Sequence, residues 1–577
     1  MSIQRSQGLP VVHCVPDLLC CRFGLPGVRS EALDTEARDT IGRLGAELLD
    51  RLLLRGELGE RLPDAARFHG LEIRSHGDWP ADEAPKQPAL AGKDRAPEGS
   101  RVAALQAWDV PDEGGVRLHG WYRLAGDPID AVAGAERARS AVLAVNRSLE
   151  QANALLTERL REGLDAQPLL EGLRLIALCP SWLTAASQEA HVGAGPGVPP
   201  APRPDLPSDW RPSYRFEAEA AGLADADGEG VVVAVLDSRP EVAQMLGAAQ
   251  RYQPPHGFLQ ELLQRVQFGG LALDDPAFAA LEHLVAGWEA GDPDGLAQGY
   301  AMPDHGLFVT GLIHGAAPGA ELHLLRVLSA QGIGELQSLT ALLGQTRALV
   351  GAVGKRLIVN LSLVAAIPSE PELETGFRPL RAAARRAAAG VDGAGGVPPL
   401  QRFLGGPLMD AVAALVQGGA LVIASAGNDA RPGQARPEPR LPARDDRILA
   451  VGAAGRSGQP ASFSNAADAL VLGNGVVAFG GEATWLATGA RVDPDDAPIG
   501  LFTAAATPIT GADVPTGWVA WSGTSFAAPL ATALAARLWS SQPQLSAPEL
   551  LAAVRAMAAG PDLAGLLAPR LPVTQVL

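Results

Sequence analysis

Beyond residue 228 the apolar residues come in short unbroken runs rather than in alternation. The run at 231–236, Val-Val-Val-Ala-Val-Leu, has strand length and no polar position, as expected of a parallel strand covered on both faces. Segments 321–328, 357–363, 420–425 and 448–451 repeat the type, and stretches with helical spacing near 335–350, 376–390 and 405–417 alternate with them. That alternation predicts an α/β fold built on a doubly wound, mostly parallel sheet. Ser546-Ala-Pro-Glu549 marks the start of a closing helix, a capping box with proline in the first turn.

Before residue 228 the pattern is different. Residues 1–30 are punctuated by Pro and Gly and read as irregular. From 30 to 62 the spacing of Leu33, Ile41, Leu44, Leu48, Leu49, Leu52 and Leu53 predicts a helix with Ser30 as its N-cap. Residues 75–100 are polar and read as a loop. Segments 101–110 and 115–124 predict strands around an Asp-Glu-Gly-Gly turn, 131–162 one long helix, and 173–178 another strand. Together they predict a small α+β domain at 101–192 after a helical and irregular region at 1–100. From Gly193 the chain runs Gly-Ala-Gly-Pro-Gly-Val-Pro-Pro-Ala-Pro-Arg-Pro-Asp-Leu-Pro, too rich in Pro and Gly to pack, which reads as a linker at 193–227.

At 577 residues, 47% of them apolar, the chain has material for more than one core. A formal charge of −17 excludes nucleic acid and anionic membrane as the main partner. The N-terminus lacks the apolar core of a secretory signal, and no uninterrupted apolar stretch is long enough to span a bilayer, so a cytoplasmic protein is expected. Cys14, Cys20, Cys21 and Cys179 are too few and too clustered for a disulfide framework. With His13 they fit no zinc spacing and read as small buried thiols.

The candidate chemistry is spread along the α/β part. Asp237 closes the first apolar run, where a lone Asp is usually turn chemistry but where open sheets also place their sites. His305 opens a glycine-containing helical stretch, and Asn428 follows the run at 420–425, fit for a turn or for donating into an oxyanion hole. Gly523-Thr524-Ser525 leads into an Ala- and Leu-rich helix in which Pro529 falls in the first turn. Taken alone, Ser525 is as well explained as a helix cap as it is as a nucleophile beside free backbone N–H groups.

The four residues occur in the order Asp, His, Asn, Ser, and Asp…His…Ser is the order of subtilisin. With 317–328 and 448–465 between them, the chain from about 228 to 558 resembles the subtilisin-like serine proteases. The resemblance implies a peptidase domain at 228–577, a polypeptide substrate and no required cofactor. It implies that Ser525 attacks the peptide carbonyl, His305 exchanges its proton, Asp237 orients the imidazole, and Asn428 with the Ser525 backbone N–H holds the oxyanion. Substrate would add as a strand along Gly332, Ile333 and Gly334 and along Ser362, Leu363 and Val364, with Ser425, Ala426 and Gly427 as the far wall of the P1 pocket. Several positions depart from the family pattern. Val364-Ala365 replaces a Gly-Gly pair, which predicts a reshaped P1 pocket. Arg239-Pro240 replaces the usual glycine after the aspartate, Leu307-Phe308 a Thr-His, and Phe526 and Leu530 a Met and a His.

Asp237 and His305 lie unusually far apart, so 248–299 reads as a helical, acidic insertion near the site, and 480–519 as a second candidate. Family members often bind calcium in loops; Asp292-Pro-Asp-Gly295 offers carboxylates but no full ligand set. The long N-terminal region implies regulation, with the region itself as an inhibitor and a protein partner as activator. Two alternatives stay open: a catalytically silent peptide-binding module on the same fold, and a sedolisin-type protease. His305 and Asn428 speak against the second.

Overall fold

Seven parallel strands form the central layer of the computed structural model, which describes residues 2–4, 10–55, 68, 71–75, 105–110, 114–125, 131–163, 168–186, 198–217, 222–223, 225–275, 278, 281, 301–349, 356–388, 396–468, 473–486, 489–558 and 568–576. In spatial order they are Gln267–Gly270, Glu321–Arg326, Val231–Asp237, Arg356–Leu361, Leu421–Ser425, Leu449–Ala454 and Gly475–Phe479. Every residue of Val231–Asp237 is buried, because helices cover both faces of the sheet. Leu336–Leu349, Gly406–Gln417 and Thr524–Ser541 are among those helices, and the Ser546–Glu549 capping box opens Ala547–Met557 as expected. The stretch read as an insertion is more integral than predicted. Its described part holds the last turn of the helix Val242–Arg251, the helix Gly257–Arg265 and then the edge strand Gln267–Gly270. Asp292–Gly295 lies outside the described residues.

A second sheet is antiparallel and comes mainly from the N-terminal region. Its path runs from Arg174–Ala186 through Cys14–Pro26 and Gly115–Ala125 to Glu72–Ser75, with Leu105–Val110 also on Gly115–Ala125. Cys14–Pro26 corrects the irregular reading of residues 1–30. It is a 13-residue strand, with Leu18–Leu25 buried throughout because helices and the α/β domain cover its two faces. A strand buried on both sides shows no alternation, and its Pro16, Gly24 and Pro26 resemble loop punctuation.

Other elements shift for local reasons. The first helix runs Thr35–Leu49 with Asp34, not Ser30, as N-cap; Asp34 accepts from Ala37 N at 2.8 Å, while Ser30 N donates to Asp109 at 2.7 Å. The predicted long helix is two, Ala131–Arg147 and Leu149–Gly163, interrupted at Ser148. The strand expected at 173–178 continues to Ala186. The Pro- and Gly-rich segment packs from Val198 onward: Ala201–Pro202 pairs with Trp518–Ala520, and Trp210 sits edge-on to Trp518 at 4.9 Å. Proline that repeats without a helix or ladder can still be buried when it lies on an edge.

One apolar cluster runs without a break from Leu19, Trp121 and Leu178 of the N-terminal sheet to Val233, Ile358 and Leu534 of the α/β domain. The four cysteines are free and buried, and burial pushes the Cys179 thiol up to about 12, so it stays a protonated core group.

Candidate active site

Val231–Asp237 delivers its last residue to the carboxyl edge of the sheet, where Asp237 is fully buried and its Oδ1 accepts from Ser238 N at 2.7 Å. His305 is the first residue of the helix His305–Ala316 and places Nδ1 2.8 Å from the same Oδ1. The close approach depends on Gly306: a Cβ there would lie 2.2 Å from Ser238 O and 2.7 Å from Asp237 Cβ. A nitrogen bonded to a carboxylate carries the proton, so His305 is held with Nδ1–H toward Asp237 and Nε2 as the basic nitrogen. Nε2 is buried and has no hydrogen-bond partner. Trp521, 5.5 Å away and perpendicular, and Phe526, 5.2 Å away, wall the imidazole.

Ser525 is the second residue of Thr524–Ser541. Its hydroxyl does not bond to His305; it donates to the carbonyl of Ser362 at 3.1 Å. Ser362 returns a bond, Oγ to Ser525 O at 2.8 Å, and Asn360 Nδ2 donates to that Oγ at 3.0 Å. Asn428 is oriented by Thr524, whose N and Oγ1 both reach its Oδ1 at 3.0 Å. With the oxygen committed there, the amide nitrogen is the donor the residue presents elsewhere. Asn360, Thr524 and Trp521 were not predicted as part of the site; the Thr of Gly523-Thr524-Ser525 was the only signal for any of them.

Both stretches expected to be substrate edges are paired with one strand of the N-terminal region. Arg174–Ala186 pairs antiparallel with Ile333–Glu335 on one side and with Leu363–Ala365 on the other. Ala185 lies opposite both Ile333 and Val364, and Ala186 N donates to Gly332 O at 2.9 Å. Gly334 has to be small here, since a Cβ would stand 2.8 Å from Thr184 Oγ1. Val364 packs with Leu183, Ala185, Ile333 and Phe278 in a separate apolar cluster. Glu335 fixes the strand's approach: it accepts from Ser181 Oγ at 2.9 Å, from Gln337 N at 2.5 Å and from Ser338 N at 2.7 Å. After Ala186 the next described residue is Val198, whose carbonyl accepts from Trp521 Nε1 at 2.7 Å. Ser425, Ala426 and Gly427 are buried at the end of their strand, with Ala426 N donating to Val451 O at 2.9 Å.

The departures from the family pattern compensate one another. Arg326, buried at the end of its strand, donates to Arg239 O from Nε and Nη2 and pairs with Glu241 at 2.7 Å, which fixes the turn after Asp237 without glycine. Phe308, Phe526 and Trp521 pack together, with Phe308 to Phe526 at 4.5 Å, so the replacements form one aromatic cluster behind His305. Asp304, next to His305, is pushed up to about 6 by burial, against the donors Thr503 Oγ1 and Thr503 N.

The subtilase family model matches residues 228–565. The chain belongs to the subtilase family. This subtilase is accordingly a serine endopeptidase that acts on polypeptides. Among solved structures it is similar to a cold adapted subtilisin-like serine proteinase, at 19% identity over 60% of this chain and 90% of that chain with a TM-score of 0.34. No curated protein matches it. Among the described residues no helix is long and apolar enough to cross a membrane, and no group of three or more His, Cys, Asp or Glu could hold a metal ion.

Proposed function

We propose that this subtilase is a cytoplasmic endopeptidase that works through Asp237, His305 and Ser525 and is held inactive by its own N-terminal region. The observation that carries the inhibitory half is the strand ending at Ala186, which makes with Gly332–Glu335 and Leu363–Ala365 the main-chain ladder a substrate would make. In the working enzyme, His305 Nε2 accepts the Ser525 proton as Oγ attacks the carbonyl. Asp237 stabilises the imidazolium, and the proton then passes to the leaving amine. Asn428 and the Ser525 backbone N–H receive the oxyanion, and removing the Asn428 side chain should cost about 10²–10³ in kcat. The acyl-enzyme is released by water along the same route. A protein partner that competes for the groove is the activator this arrangement calls for. The domain limits follow from it: an inhibitory unit up to about 192, a connection at 193–227, and the peptidase from 228.

One observation favours the rival, a silent peptide-binding module: the Ser525 hydroxyl bonds to Ser362 O and not to His305. Under autoinhibition the same bond is a resting position, because rotation about a single side-chain torsion redirects the hydroxyl. A fluorophosphonate probe separates the two. Full-length wild type should label slowly and Ser525→Ala not at all, and N-terminal sequencing should find a new end between residues 187 and 198 in wild type alone. A wild type that never labels, even with the strand weakened by Ala186→Pro, would establish the silent module.

A further inference from the structure

Away from the catalytic groove, the N-terminal sheet and the peptidase enclose a cavity of about 680 Å³. Its N-terminal wall carries Arg22, Arg117 and Arg174, each from a different strand of that sheet. Its peptidase wall carries Arg386 from Arg381–Ala388, Arg402 from Pro399–Leu404, and Arg447. Among the described lining residues the carboxylates facing these six guanidinium groups are Glu150 and Asp410, an excess of four positive charges in a chain whose total is −17. Asp445, which grips Arg447 at 2.6 Å, and Asp446, whose charge acts on Arg447 and Arg402, reduce that excess to two.

The cavity is built rather than incidental. Arg117 is 6% exposed and Arg22 8%, so two cations are fixed in its floor, while Arg174 and Arg386 stand exposed at its rim. Burying guanidinium groups together is unfavourable unless anions are supplied, and Asp410 already answers Arg22 with a bidentate pair at 2.6 and 2.5 Å. The lining also includes the apolar residues Leu149, Ile176, Ala383 and Phe403. Convergent guanidinium groups suit phosphate oxygens, the apolar residues suit a ring or other uncharged body, and the volume is that of a small-molecule site.

We propose that this cavity binds a small molecule bearing two or more phosphate groups on an apolar or ring-containing body, in the size class of a nucleoside polyphosphate. Because the cations come from both walls, the ligand binds the docked arrangement in preference to the undocked one and shifts the population toward it. If docking is inhibition, which rests on the autoinhibition proposed above, the ligand deepens inhibition.

The test uses full-length protein at matched ionic strength. ATP and pyrophosphate are titrated calorimetrically, with citrate and sulfate as anions lacking the polyphosphate geometry. Saturable one-to-one binding of ATP is expected, at least tenfold tighter than sulfate, with pyrophosphate intermediate and a rise in Tm on binding. Arg174→Glu with Arg386→Glu, two exposed rim positions remote from Asp237, His305 and Ser525, should weaken ATP at least tenfold and leave Tm without ligand unchanged. ATP no tighter than sulfate, or affinity indifferent to the rim reversal, overturns the site. Fluorophosphonate labelling with and without ATP reads the regulatory half separately. Slower labelling in wild type but not in the rim variant supports coupling, and unchanged labelling with intact binding removes the coupling while the site stands.

Discussion

The N-terminal region touches the peptidase in two chemically opposite ways. In the groove the contact is a main-chain ladder from Leu183 to Ala186, with small or aliphatic side chains, which any polypeptide of similar shape can reproduce. At the far end it is a buried cluster of particular side chains. Arg22 and His119 converge on Asp410 of the helix Gly406–Gln417, His119 Nε2 at 2.9 Å, and Trp108 Nε1 donates to His119 Nδ1 at 3.0 Å. Burial opposes the Asp410 charge, yet the Arg22 and His119 groups beside it hold its carboxyl well below the usual carboxylate range. A substrate can compete for the first contact and has nothing to offer the second. On the autoinhibition proposed above, the groove would therefore clear for substrate while the N-terminal region stays attached.

Breaking the second contact should have the largest effect. Asp410→Ala leaves Arg22 and His119 buried without their carboxylate, and a loss of about 3–5 kcal/mol is expected in urea denaturation of the full chain. Breaking the first should leave global stability nearly intact but free the groove. Ala186→Pro removes the N–H that reaches Gly332 O, worth about 1–3 kcal/mol when left unmade, so fluorophosphonate labelling should rise at least about fivefold. Unchanged labelling would mean that the ladder does not compete with ligands of the site.

Acid distinguishes the two regions by sign. Burial lowers the His119 pKa, so below the ordinary histidine value of about 6.5 the unfolded chain takes a proton that the folded one refuses, with Arg22, Arg117 and Asp410 facing the ring. Stability from this cluster is thus full above about 6.5 and falls with pH below it, by at most about 1.4 kcal/mol per pH unit. Asp304 has the opposite sign: its pKa is raised to about 6, so between there and the ordinary value of 3.8 the folded state holds the extra proton and gains stability as pH falls. His119→Gln should flatten the acid loss and Asp304→Asn should steepen it, read as unfolding midpoints between pH 7 and 4.5. The smallest effect expected is that of Trp521→Phe, which gives up the bond to Val198 O and should weaken that anchor by about 1 kcal/mol, read as faster hydrogen exchange at Arg203, whose N–H reaches Trp518 O beside the Ala201–Pro202 strand.

The peptidase was more legible in sequence than the region that covers it, for a physical reason. Parallel strands buried on both faces are unbroken apolar runs, and those runs found five of the seven central strands, though Gln267–Gly270 and Gly475–Phe479 were too short or too glycine-rich to stand out. That Asp237 closes a strand while His305 and Ser525 open helices was legible, because the apolar runs and glycine-marked starts around them fix those boundaries. Cys14–Pro26 was missed because a central antiparallel strand buried on both faces loses the alternation that normally betrays it. The strand continuing through Thr184, Ala185 and Ala186 was missed because its pattern is set by the groove it fills, and a partner 150 residues away leaves no local periodicity. Ser525 was expected near His305 and lies on the adjoining helix, but its hydroxyl direction is a rotamer and no sequence encodes that.

If the N-terminal region is displaced as proposed above, Glu335 gives that movement a direction. When Ser181 leaves, this carboxylate keeps the Gln337 and Ser338 donors of its own helix and stays solvated by protein. Asp410 has no such reserve, since Arg22 and His119 both depart with the sheet. Under the autoinhibition proposed above, the edge over the groove would therefore lift at little electrostatic cost while the opposite edge resists, as a page turns from its free margin toward the spine.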